Sequence, residues 1–258
     1  MNKPDIVEAE KIFNRVLDEA KSDQNILAFW LDGSRGKGII EHAESDYDCT
    51  MIVKDEVLAE YKERYEKIGN PAFELGVMTL DEFKNLAVWG SDTAWQSYNY
   101  VGLKTPLVDK TGQVQKLFED KATILPSEIK KFISDALDYY INEVYRSLKC
   151  FRDGQIVGAR LEASESVLPL LNTIFALHGR LRPYYKYYEW ELKNFPLVKL
   201  GISGEEFTKM IFTILESADI KNQQKLLREI ESVTRKEGYG QVWDSWGDKI
   251  EWMNNFKI

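Results

Sequence analysis

Two aspartates separated by one residue, Asp46 and Asp48, follow a Gly33-Ser34 pair after eleven intervening residues. Side chains alternate across a strand at ~3.3 Å per residue, which would put Asp46 and Asp48 on one face with alpha carbons about 7 Å apart. Two carboxylates at that spacing can close on one divalent cation. Mg²⁺ is hard, takes oxygen ligands in an octahedron, and keeps its water unless carboxylates and substrate phosphates supply the rest. Gly33 lets the backbone approach a polyphosphate closely, and Ser34 with the amides that follow can donate hydrogen bonds to its oxygens. The chemistry these residues could share is that of a metal-bound nucleoside triphosphate.

Such residues need two strands to hold them. Ile26 to Leu31 is a continuous apolar run, as expected of a central strand. After the Gly33-Ser34 turn, residues Arg35 to Glu44 read as a polar loop, in which Arg35 and Lys37 are the cations able to reach phosphate oxygens and His42 is a surface histidine. The second strand opens with Ser45-Asp46-Tyr47-Asp48 and runs to Lys54. An amphipathic helix over 4–20 precedes this pair, and a charged helix over 55–68 follows it, ended by Gly69-Asn70-Pro71. In the next strand, 72–78, Phe73, Leu75 and Val77 share a face, leaving Glu74 opposite with Gly76 and Met78. A carboxylate flanked by apolar residues in a central strand needs a partner. Thr79 then reads as the cap of a helix containing Asp81. Trp89 and Trp95 are expected in the core, 105–112 forms a short strand and turn, and 113–120 a helix.

Gly33-Ser34, eleven residues and Asp46-x-Asp48, bounded by apolar strands, resemble the signature of the DNA polymerase beta-type nucleotidyltransferase superfamily. Ser45 before the first aspartate is similar to the aminoglycoside adenylyltransferases within it. The resemblance covers the N-terminal part of the chain and weakens beyond it. It implies an α/β (α+β) fold, a nucleotidyltransferase-fold mixed sheet with helices followed by a C-terminal helical bundle. It also implies a third carboxylate on the strand after the Asp-x-Asp hairpin, aimed at the metal site or at the acceptor hydroxyl. Glu74 is in place for it, with Asp81 as the fallback. Mg²⁺ and ATP, or another nucleoside triphosphate as co-substrate, come with the resemblance, and Ser34 and Ser45 would position the phosphates.

At 258 residues the chain has room for two domains, expected as a catalytic domain over 1–125 and a helical substrate-binding domain over 126–258. Pro126 and Ser127 mark the boundary, and helical periodicity recurs over 128–152, 156–177 with a kink at Pro169, 204–217 and 222–236, a bundle of four or five members. Between them, residues 178–190 interleave basic and aromatic side chains. They could hold phosphate and stack on a base, with Lys186 among the nucleotide ligands, or fill a helix corner. Glu162 and Glu165 could receive a cationic substrate or sit in solvent.

With a net charge of −8, a broad nucleic-acid contact is disfavoured, whereas a cationic acceptor would be attracted. No stretch is apolar enough to span a membrane and the N-terminus lacks a signal-peptide core, so a cytoplasmic protein is expected. Cys49 and Cys150 have no ligand-spaced partners and read as reduced, buried thiols. The expected activity is Mg-dependent transfer of a nucleoside monophosphate, AMP from ATP, to a hydroxyl of a small, cationic, aminoglycoside-like acceptor. Its alternatives are a silent nucleotide-binding module of regulatory or antitoxin type, or AMP transfer to a protein. Nothing in the sequence indicates the oligomeric state.

Overall fold

The computed structural model describes residues 3–89, 91 and 93–257. It is a mixed α/β structure that divides into two compact units, one ending at Thr123 and the other beginning at Ile124. The first unit opens with helix α1 (Lys3–Ser22), which leads into strand β1 (Ile26–Leu31) and the short helix α2 (Gly33–Lys37). Strand β2 (Tyr47–Val53), helix α3 (Leu58–Glu66), strand β3 (Phe73–Thr79), helix α4 (Leu80–Asn85), strand β4 (Val108–Asp109) and helix α5 (Val114–Lys121) follow. The sheet order is β3-β2-β1-β4, with β1 antiparallel to β2 and β4, and β2 parallel to β3 across the α3 crossover.

The strands are apolar because both sheet faces are covered. On one face Phe29, Cys49, Met51, Val53 and Val77 pack with Ala9 and Val16 of α1. On the other, Ala28, Trp30 and Ile52 pack with Phe83, Tyr100 and Phe118. Thr79 closes β3 and caps α4 in a reciprocal box, its hydroxyl accepting from the Glu82 amide while Glu82 accepts from its own. This is the cap expected from the sequence. The polar loop expected after Ser34 is instead a helix up to Lys37, and Trp95, expected in the core, is 61% exposed. Trp89 is half-buried and donates to the Thr123 carbonyl at 3.2 Å.

The second unit contains helices α6 (Ile129–Arg152), α7 (Ile156–Glu165), α8 (Val167–Leu177), α9 (Tyr188–Asn194), α10 (Gly204–Ser217), α11 (Ile220–Lys236), α12 (Gly240–Asp244) and α13 (Asp248–Asn255), and no strand among its described residues. The helix expected over 156–177 with a kink at Pro169 is interrupted at Ser166, between α7 and α8. A proline ring clashes with the carbonyl four residues upstream, here that of Glu165, so the break falls where the clash is and Pro169 sits in the first turn of α8. Both cysteines are free, Cys49 buried as expected and Cys150 only half-buried. Among the described residues no helix is long and apolar enough to cross a membrane.

Glu143 of α6 is 2% exposed. Its carboxyl accepts from Asn142 at 2.9 Å, and the Arg146 guanidinium lies 3.9 Å from it and 2.6 Å from Glu162 of α7. Burial, with a hydrogen bond to Glu162, pushes the Glu143 carboxyl up from 4.5 to about 7. Because the folded value is the higher one, the stabilisation is complete at pH values below 4.5 and is lost as pH rises through about 7. Glu143→Gln, a permanent neutral mimic, is therefore expected to gain stability over the parent at pH 8 and not at pH 5. The gain is a few kcal/mol at most, since each tenfold change in proton affinity is worth about 1.4 kcal/mol. Urea unfolding at the two pH values measures it; a difference independent of pH would contradict a titrating Glu143.

Candidate active site

Register places a line of carboxylates along one sheet face. Trp30 faces Thr50 and Leu31 faces Cys49 across β1 and β2, so Asp32, just past β1, continues opposite Asp48, and its amide donates to the Asp48 carbonyl at 2.8 Å. Across β2 and β3, Asp48 is paired with Glu74 and Thr50 with Gly76. Asp32, Asp48 and Glu74 thus lie side by side on three adjacent strands, on the face whose core holds Trp30. Asp46 immediately precedes β2. Asp46 and Asp48 are half-buried and Glu74 is exposed.

Gly33 is where this face meets α2. Its φ of +57° lies in the left-handed region, and a Cβ built there would come within 2.7 Å of Asp48 Oδ2. The aspartate carboxylate therefore occupies the space that a side chain at position 33 would need. One turn on, a Cβ at Gly36 would lie 2.1 Å from the Leu31 carbonyl oxygen, so α2 rests directly on the end of β1.

The remaining predicted residues brace this arrangement. Ser34 and Ser45 are buried, and the Ser34 hydroxyl donates to Ser45 Oγ at 3.4 Å, joining α2 to the segment before β2. Ser45 Oγ also accepts from the His42 amide at 3.1 Å. The Arg35 guanidinium donates to the Ser45 carbonyl at 2.7 Å and the Asp46 carbonyl at 3.0 Å, pairs with Glu41 at 3.2 Å, and lies 4.1 Å from the Tyr47 ring centroid. These partners hold the backbone that carries Asp46. Lys37 likewise turns inward: it is 6% exposed and donates to the Tyr98 carbonyl at 2.9 Å and to that of Val101. Lys186 belongs to the second unit, where it is exposed. Asp81 is exposed in the first turn of α4.

Asp32 was not among the residues singled out from the sequence. It accepts from Thr50 Oγ1 at 2.5 Å and from Trp30 Nε1 at 2.9 Å. Burial raises its carboxyl above the usual range, opposed by these two hydrogen bonds and by the charge of Lys37. On the opposite face, burial with the nearby Asp32 and Asp48 charges raises the Cys49 thiol strongly, so it is not a nucleophile at neutral pH.

Among the described residues no group of three or more His, Cys, Asp or Glu is gathered tightly enough to hold a metal, so the expected cluster of Asp46, Asp48 and Glu74 is not closed up. The donor set still suits a hard cation. All its oxygens are carboxylate oxygens, and Mg²⁺ is commonly held by one or two carboxylates with substrate phosphates and water completing the octahedron.

No family model matches the chain, and no curated protein matches it. Among solved structures it is similar to a nucleotidyltransferase-like protein from Exiguobacterium sibiricum 255-15, over 95% of this chain and 77% of that one, at 10% identity and a TM-score of 0.44.

Proposed function

We propose that the first unit is a metal-dependent nucleotidyltransferase domain, transferring a nucleoside monophosphate, AMP from ATP in the simplest case, to a hydroxyl of a small acceptor. The observation that carries this reading is the Gly33-to-Asp48 approach, with Glu74 in register on the next strand. A strand, a glycine turn, an Asp-x-Asp and a third carboxylate on the neighbouring strand are the parts that the sequence resemblance calls for.

On this reading Asp46 and Asp48 hold Mg²⁺, with Glu74 completing the donor set or accepting the acceptor's proton. A cation held there would supply charge stabilisation for displacement at the triphosphate. The acceptor oxygen forms a bond to the α-phosphorus, and the bond to pyrophosphate breaks. Gly33 lets the backbone approach the phosphates, Ser34 and Ser45 fix the turn, and Arg35 and Lys37 position its two sides. The exposure of Glu74 suits a group that must meet a substrate hydroxyl.

Incubation with α-³²P-labelled nucleoside triphosphates, Mg²⁺ and a panel of aminoglycosides, lincosamides, proteins and tRNA tests the reading. Label transferred to an acceptor, with release of pyrophosphate, is expected, and tRNA is expected to be the poorest acceptor given the −8 net charge. Absence of transfer to every class, with nucleotide still bound, would instead identify a silent nucleotide-binding module.

Glu74→Gln separates structure from chemistry. An exposed carboxylate contributes little to stability, so the variant should melt with the parent. Loss of a positioned proton acceptor costs roughly 10²- to 10⁴-fold in rate, and that loss is expected at saturating acceptor with nucleotide binding retained. Parental turnover would remove Glu74 from the site.

A further inference from the structure

Two sequence features that nucleotidyl transfer leaves unused meet in the second unit: the glutamates of α7 and the aromatic, charged stretch before α9. A cavity of about 750 Å³ is lined by Glu165, Lys186, Glu189 and Tyr188, with Val167 and Leu171 of α8 and the apolar face of α10. Glu162, the other candidate glutamate, is taken by Arg146 at 2.6 Å. Arg180 pairs with Glu191 at 2.9 Å and Arg182 donates to Asn172 at 3.0 Å, so neither is left to line the cavity as an anion site.

The volume is that of a small-molecule site, and the walls are mostly apolar. Phe212 and Leu215, 56% and 44% exposed, would be covered by a ligand lying there. Neither Glu165, Glu189 nor Lys186 forms an ion pair among the described residues, so the lining carries two carboxylates against one ammonium. Tyr188, whose hydroxyl is 3.1 Å from Thr208 Oγ1, supplies an aromatic wall to which a cation is attracted. An anion would meet two carboxylates, and a polycation with no apolar body would leave Leu215 and Phe212 uncovered.

From this juxtaposition we infer that the helical unit binds a small amphipathic amine, its apolar body against α8 and α10 and its ammonium group between Glu165 and Glu189. The site stands or falls apart from nucleotidyl transfer, because its binding is measured without nucleotide or metal.

Calorimetric titration of the full chain with 4-phenylbutylamine, 4-phenylbutanol and 4-phenylbutyrate tests it, the three probes differing chiefly in charge. Saturable one-to-one binding is expected for the amine, more weakly for the alcohol and least for the acid. Glu165→Gln with Glu189→Gln should lower amine affinity about five-fold, as for partly exposed charge pairs, while leaving the alcohol unchanged. Leu215→Arg, at a position exposed enough to accept the change without unfolding, should abolish amine binding. No saturable binding of any probe at millimolar concentration would overturn the proposal. So would preference for the acid, or amine binding unchanged in both variants.

Discussion

Asp48→Asn is expected to remove nucleotidyl transfer while leaving the protein folded in the absence of metal. Asp48 lies between Asp32 and Glu74 on three adjacent strands. The amide keeps the shape of the side chain, so the variant should still unfold cooperatively without Mg²⁺. The cation then loses one of its two proposed ligands. Several kcal/mol of charge stabilisation in the displacement depend on it, which at about 1.4 kcal/mol per tenfold is on the order of 10³-fold in rate. Mg²⁺ with nucleotide should raise the melting temperature of the parent and not of the variant. A variant that no longer folds without metal would show that Asp48 serves the fold, and one that turns over like the parent would place the metal elsewhere.

The second large effect is expected at Gly33, where two substitutions separate backbone strain from side-chain space. Alanine at φ +57° incurs the left-handed penalty of about 1–2 kcal/mol, and its Cβ also displaces the Asp48 carboxylate. Asparagine tolerates the left-handed region far better but brings the same Cβ. Gly33→Asn should therefore melt closer to the parent than Gly33→Ala, yet both should lose transfer by about 10²-fold or more, the scale on which a misplacement of about 1 Å affects catalysis. Activity that follows stability across the pair, instead of falling equally, would contradict a requirement for close approach at Gly33.

Much of this site was legible from alternation alone. The apolar run Ile26–Leu31 and the segregation of Glu74, Gly76 and Met78 from Phe73, Leu75 and Val77 follow from a period of two, and the observed register repeats it. Thr79 with Glu82 three residues on is a local cap signature that needs no tertiary information. Helix α2 was not legible, because Gly-Ser-Arg-Gly-Lys is five residues with two glycines, too short to display a period and poor in helix propensity. What holds it is tertiary: Gly36 against Leu31, Arg35 on the carbonyls before β2, and Lys37 on Tyr98 and Val101. The sequence signal for Arg35 and Lys37 was charge, and charge does not say whether a cation meets a phosphate or a backbone carbonyl.

Asp32 was missed for a related reason. As the last residue before a Gly-Ser turn it looks like ordinary turn chemistry, and only the cross-strand partners Thr50 and Trp30 show a carboxylate folded into the sheet. An acidic residue closing an apolar strand, two positions after a tryptophan whose indole needs an acceptor, was the available signal. In the second unit the long amphipathic helices α6, α10 and α11 were readable, whereas α9, α12 and α13, of eight residues or fewer, span too few turns to show periodicity.

The central claim, that the carboxylate face beside Gly33 holds a metal-bound nucleotide, is tested most directly without knowing the acceptor. Amide signals of the isotopically labelled full chain can be followed as Mn²⁺ is added with a non-hydrolysable ATP analogue. Paramagnetic broadening should appear first at Gly33, Asp46, Asp48 and Glu74, depend on the nucleotide, and vanish in Asp48→Asn. Broadening centred away from these four residues, or unchanged in Asp48→Asn, would contradict the account.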